Sequence, residues 1–258
     1  MDKQHLIETF CPILKFHPDE QFFPSSIEYI LKNSLLGKDG KNLTKTYNTL
    51  TPENLLQYQQ KHKLPVYLNI KESSWKGEKE NLHNVPIYAT VTQSSEYYCI
   101  QYVFVYPYNG PFKIFDKINE GQHQSDVEHI TIYVSKEKNK ISRAYYAAHT
   151  SKDGMWLDRS EMEFDGKHPL VYVANHSHAS YNKSGTYYRI FFFANDHTSN
   201  KGIHWQPKVI FIDNETNWNK YQGFLGEPDH CPTPMYRTWW KHEDGKSTNW
   251  FKRLFYCR

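Results

Sequence analysis

The densest chemistry in the chain lies in the segment GQHQSDVEHI, where His123, Asp126 and Glu128 stand three and two residues apart. Side chains two apart on a strand point to the same face, so Asp126 and Glu128 at a strand start share one. His123, expected in the preceding loop, can fold over that face. An imidazole with two carboxylates suits a divalent ion of intermediate hardness, such as Mn or Zn. Mg or Ca would prefer the oxygens and fill the remaining positions with water or further acids. Asp116, upstream, is a candidate for another oxygen ligand. The same residues also fit a plainer arrangement, with Glu128 paired to a lysine and Asp126 closing an Asx-type turn.

A second group lies in NHSHASY, which places His176 and His178 at the end of an apolar run. Two imidazoles at this spacing fall on one side of an extended chain. They can ligate a metal, shuttle a proton or hold sugar hydroxyls, and they equally suit buried histidines bonded to backbone. His149 follows another apolar run and could close one side of a cleft. Asp196-His197 and His204-Trp205 flank a polar loop near Lys201, and histidine beside tryptophan suits sugar stacking. Glu161 and Glu163 share a face of an extended segment. Ser177 and Ser180 lack the strand-to-helix elbow that exposes a nucleophilic serine. The glycine-rich nucleotide fingerprints and the HExxH pattern are absent, which removes the common nucleotide and zincin readings.

Strands must position these residues. YYCIQYVFVYPY reads as a strong strand ended by Pro107, and EHITIYV alternates Ile130, Ile132 and Val134 against His129, Thr131 and Tyr133. ISRAYYAAH, PLVYVANH, TYYRIFFFA and PKVIFID are further strands, separated by polar and glycine-containing turns. Short helices are expected near the N-terminus. One starts at a capping box with Ser25 as N-cap and Glu28 three residues on. Another starts at Thr51-Pro52-Glu53 and runs to about Gln60. Lys71 to Asn84 reads as a long polar loop around a lone Trp75. Strands at such spacing without long intervening helices predict a mainly β, single-domain antiparallel β-sandwich over residues 1–258.

Composition agrees. Only 38% of the 258 residues are hydrophobic, but 16% are aromatic, and large rings can build a core that the aliphatic count underestimates. Basic residues number 31 against 28 acidic ones and are scattered, so no nucleic-acid partner is expected. No apolar run is long enough to span a membrane as a helix. MDKQHLIETFCP lacks the apolar centre of a secretory signal, which predicts a cytoplasmic chain, or an extracellular one if it is exported unconventionally or a leader is removed. Cys11, Cys99, Cys231 and Cys257 are too far apart for a CxxC motif and are expected reduced. In an oxidising compartment Cys257 could pair with Cys11 or Cys231.

Several blocks together resemble the Vps62-related family, found in plant, fungal and protist proteins. CPILKFHPDEQFFPSS resembles its opening, GQHQSDVEHITIYV its glycine–histidine–aspartate–tryptophan–glutamate segment, and EFDGKHPLVYVANHSHASYNKSGTY a strand running into SHASY. Val127 stands where the family often has tryptophan. The blocks keep their order from about Cys11 to Trp239. That family is in turn similar to the necrosis-inducing NPP1-like proteins, whose GHRHDWE heptad lies on a β-sandwich and helps coordinate a divalent ion. The first histidine, the aspartate and the glutamate of that heptad match His123, Asp126 and Glu128, and an upstream aspartate matches Asp116. Gly121 lies one residue further from His123 than the heptad's glycine does.

The resemblance implies an ion that takes part in recognising sphingolipid sugar heads at plant membranes. The leading expectation is therefore binding of a glycan or glycolipid head group that depends on a divalent ion, Ca, Mg or Mn in preference to Zn. His149, His176, His178, His204 and Trp205 would contact the ligand, and peripheral membrane contact would follow. The alternatives are a metal-assisted hydrolase with His176 or His178 as acid or base, and a purely structural ion.

Overall fold

The computed structural model describes residues 2–114, 118–149, 153–188 and 195–227. Its centre is a six-stranded sheet in the spatial order β11 (Met155–Asp158), β10 (Lys140–Tyr146), β9 (His123–Ser135), β6 (Tyr97–Asn109), β5 (Pro86–Gln93) and β18 (Lys208–Phe211). A second sheet runs β12 (Phe164–Asp165), β13 (His168–Val173), β1 (Ile13–Lys15) and β17 (His204–Trp205), with β14 (Ser180–Tyr181) also paired to β13. A small third sheet joins β3 (Lys41–Asn42), β2 (Ser34–Lys38) and β4 (Tyr67–Ile70). Two hairpins complete the set: β7 (Phe112–Ile114) with β8 (Ile118–Glu120), and β15 (Gly185–Tyr187) with β16 (Asp196–Thr198).

The long pair β6–β9 is the spine, and its residues are apolar on both faces. Tyr102, Phe104, Tyr106, Ile130 and Ile132 pack on one side against Leu6, Ile7, Val171 and Trp205. Val103, Val105 and Val127 pack on the other against Ile30, Leu36, Leu55 and Trp218. A strand buried on both faces loses its polar alternation, which is why YYCIQYVFVYPY reads as one apolar run. The same fact corrects the expected architecture. The protein is mainly β with minor helical content, but its sheets do not close into a simple sandwich, because helices and the third sheet cover the second face. Nor is pairing wholly antiparallel: β1 runs parallel to β13, and β18 parallel to β5.

Pro107 does not end β6. The strand is paired to β5 only up to Val103, whereas pairing with β9 continues through Tyr106–Asp126, Tyr108–Gln124 and Asn109–His123. Proline is accommodated where one side of the strand needs no ladder.

The helices are α1 (Lys3–Thr9), α2 (Ile27–Lys32) and α3 (Leu55–His62). α1, capped by Asp2, is too short to show a periodic signature in sequence. The α2 cap is Ser26, not Ser25: its side chain accepts from Tyr29 N at 3.1 Å, while Ser25 N is committed to the Val105 carbonyl. α3 starts later than expected because Thr51 and Asn54 bond each other's backbone N–H groups in a turn before it. The expected loop 71–84 contains two short 3-10 helices, and Trp75 stacks on Tyr108 with ring centroids 4.2 Å apart.

No helix among the described residues is long and apolar enough to cross a membrane. Cys11 and Cys99 are buried free thiols, and burial pushes the Cys99 thiol up to about 11. Asp116, Cys231, Cys257, most of the expected strand TYYRIFFFA and the aromatic tail lie outside the described residues.

Candidate functional site

The start of β9 places Asp126 opposite Tyr106 and Glu128 opposite Phe104, so both carboxylates occupy the face that carries the Tyr102–Phe104–Tyr106 row. His123 opens the strand rather than lying in the preceding loop. Its Nδ1 lies 2.7 Å from the Ser125 carbonyl, brought back by a φ of 58° at Ser125. A carbonyl only accepts, so Nδ1 carries a proton.

Asp126 is buried and its Oδ2 is met by His178 Nδ1 at 2.9 Å. The His178 ring lies flat on Tyr106 at 3.7 Å and an interplanar angle of 4°. Its Nε2 donates to the Phe22 carbonyl at 3.1 Å, and Glu20 Oε1 stands 3.9 Å away. The partners on both sides are acceptors, so the ring is called on to donate from both nitrogens. Neither is left to act as acid or base toward a ligand.

Glu20, unnoticed in the sequence, organises the other side. Its Oε1 accepts from Gln21 N and Phe22 N, and its Oε2 accepts from His176 N at 2.8 Å. A groove of about 590 Å³ runs past Glu20 between Tyr29, Glu78, Lys79 and Asn81. Burial pushes the Tyr106 phenol well above its ordinary range, and Asp126, Glu20 and Glu128 add to the effect. Its hydroxyl is buried and has no hydrogen-bond partner among the described residues.

The loop from Ala174 to Ala179 ties these groups together. Its ends are closed by Ala174 N to Ala179 O at 2.9 Å, and His176 and His178 adopt φ of 64° and 56°. Left-handed backbone at two non-glycine residues is strained and must be held by its contacts. His176 meets Phe22 edge-on, and its Nδ1 lies 3.3 Å from the Pro111 carbonyl. Gly110 packs here because a Cβ would run into the Phe22 ring and the His176 side chain.

Between the two histidines, Ser177 Oγ donates to Asp196 Oδ1 at 2.7 Å. Asp196 Oδ2 is met by His149 Nε2 and the Tyr181 hydroxyl, both at 2.6 Å. Burial alone would raise the Asp196 pKa. The bonds and charge from His149, with the Tyr181 and Ser177 bonds, overcome this and hold the carboxyl below its ordinary value.

His204 is exposed, with Nε2 3.2 Å from the Asn200 carbonyl. Trp205 is buried in the core and stacks on Phe16, which leaves it no open face for a sugar.

Among the described residues, no group of three or more His, Cys, Asp and Glu side chains is disposed to hold an ion. Two members of the expected set nonetheless carry the outer partners that metal ligands need. The Ser125 carbonyl holds the His123 ring, and His178 orients the Asp126 carboxylate. The remaining expected oxygen donor, Asp116, is outside the described residues.

Comparison with known proteins gives extensive sequence matches. The family of vacuolar protein sorting-associated protein 62, Vps62, covers residues 2–197. A Saccharomyces cerevisiae protein named for vacuolar protein sorting, TDA6, is 23% identical over 95% of this chain and 65% of its own length. The chain thus spans about two thirds of that relative. Among solved structures, necrosis and ethylene inducing protein 2 from the agent of cocoa's witches' broom disease aligns at 13% identity, with a TM-score of 0.41, over 81% of this chain and 74% of its own. NLPPya in complex with mannosamine aligns at 13% and 0.43, over 81% and 71% of the respective chains. The non-toxic HaNLP3 protein aligns at 10% and 0.43, over 86% and 83%. The structural similarity to this toxin fold is distant.

Proposed function

This chain belongs to the Vps62 family, and from the polar cluster at the start of β9 we propose that it binds a glycan or glycolipid head group with the help of a divalent ion. The observation that supports the reading is the face shared by Asp126 and Glu128 at the start of the strand that His123 opens. His123 Nε2 and the two carboxylates would hold the ion, with Asp116 as a further oxygen donor. Ca, Mg or Mn suits this oxygen-rich set better than Zn. Bound there, the ion would supply an electrophilic contact for neighbouring sugar hydroxyls. His178 keeps Asp126 aimed, Glu20 keeps His176 and His178 in place, and the groove past Glu20 offers walls of mixed polar and apolar surface for the rest of the ligand.

The depth of Asp126 favours a second reading, in which the cluster only pins the 174–179 loop to β9. Metal analysis of the purified protein, with calorimetry against Ca, Mg and Mn, separates the two. Wild type should take up a stoichiometric ion, and His123→Ala and Glu128→Gln should lose it while staying folded. A glycan array with that ion present should then show binding that chelation abolishes. Wild type that neither carries an ion nor gains thermal stability from any of the three would overturn the ion-centred reading and leave the structural one.

A further inference from the structure

We infer that His149 and Asp196 form a separate acceptor site: an imidazole locked with Nε2 protonated and Nδ1 presented to a hydrogen-bond-donating group such as a sugar hydroxyl. The argument begins at Asp196, whose side chain is 4% exposed beside a His149 ring that is 20% exposed. Three donors converge on this carboxylate, from His149, Tyr181 and Ser177. An ionised carboxylate only accepts, so the shared proton sits on His149 Nε2; the neutral ring then carries its lone pair on Nδ1, and the ring that has taken up a second proton there supplies the charge felt by Asp196.

The orientation is fixed from behind. Tyr181 belongs to β14 and Ser177 to the strained loop, so Asp196 cannot turn away without giving up two further bonds. His149 Nδ1 makes no hydrogen bond among the described residues and is not among the buried unpartnered atoms. A carboxylate that orients an imidazole and steadies the positive charge arising there is the arrangement that makes a histidine an effective proton acceptor. His178 has the same kind of partner but spends its second nitrogen on Phe22, so the two histidines differ in kind. The inference rests on the proposed glycan role only for the identity of the donor; the tautomer and its presentation rest on geometry.

Two measurements test it. Long-range ¹H–¹⁵N spectra of labelled protein should show His149 as the Nε2–H tautomer, and excess methyl glucoside should move its Nδ1 resonance. Diethyl pyrocarbonate gives the chemical readout. The Nδ1 lone pair bonds to a carbonyl carbon, the anhydride C–O bond breaks with its electrons on departing ethyl carbonate, and the Nε2 proton passes toward Asp196. His149 should react readily and His178 not at all, and Asp196→Asn should slow His149 severalfold while leaving exposed His204 unchanged. Tyr181→Phe, which keeps the carboxylate, checks that the effect is not general loosening. An Nδ1–H tautomer, inert His149, or an Asp196→Asn rate equal to wild type overturns the acceptor site. A resonance unmoved by the glucoside overturns its ligand role. Repeating both with a chelator keeps the test apart from the ion proposal: failure of ion binding leaves these outcomes unaltered.

Discussion

The His178 imidazole lies parallel to the Tyr106 phenol at 3.7 Å while its Nδ1 reaches Asp126 at 2.9 Å, joining the 174–179 loop to the β6–β9 spine through one ring. Stack and hydrogen bond hold the ring in two perpendicular directions. The contact is therefore a fixed joint between two layers of the protein.

Removing one side of that joint leaves a buried donor without its acceptor. Asp126→Ala should cost about 3–5 kcal/mol of stability in urea unfolding, because the surviving imidazole loses its charged partner in the interior. Asp126→Asn, which keeps a hydrogen-bond acceptor, should cost less. Equal losses for the two would argue against the joint.

The Gly110 position should refuse even a methyl group. Gly110→Ala is expected to lose about 1–3 kcal/mol through overpacking against Phe22 and His176. The histidine resonances of His176 and His178 should move with it. An unchanged denaturation midpoint would mean that Phe22 gives way freely.

Acid should release the Asp196 anchor. Its folded pKa is lowered, so its stabilising contribution is complete above the ordinary carboxylate value and is lost as pH falls toward the folded value. The stability difference between wild type and Asp196→Asn should be constant around neutrality and shrink below about pH 4. Parallel stability curves down to acid pH would remove the anchor.

Ion binding, if the β9 proposal holds, must appear as stability. At a free ion concentration about 100 times its Kd, wild type should gain about 2.7 kcal/mol, and His123→Ala should gain none. The difference is read as a shift in thermal midpoint on adding Ca, Mg or Mn.

The pieces of this site differ in how much the sequence disclosed. The apolar runs of β6 and β9 and the two-residue spacing of Asp126 and Glu128 were legible, because strand periodicity is a local property. The layer on the second face was not: an apolar run announces burial without saying what covers it. Glu20 was missed because its partner His176 lies 156 positions away, and no local pattern marks such a contact. Asp196 was noticed only as a neighbour of His197. Its role depends on His149, 47 positions earlier, and on Tyr181. His204 and Trp205 looked like a stacking pair because adjacency in sequence hides that strand neighbours point to opposite faces.

One short loop is gripped by carboxylates from three distant stretches of chain: Glu20 near the beginning, Asp126 in the middle and Asp196 well beyond. A backbone bent left-handed at two histidines has little reason to keep that shape before all three arrive. Closing it needs contacts across long spans of sequence, which form late when the ends must first be brought together. A probe on this loop would act as a clock for one late step of folding, responding only when Glu20, Asp126 and Asp196 have all reached it.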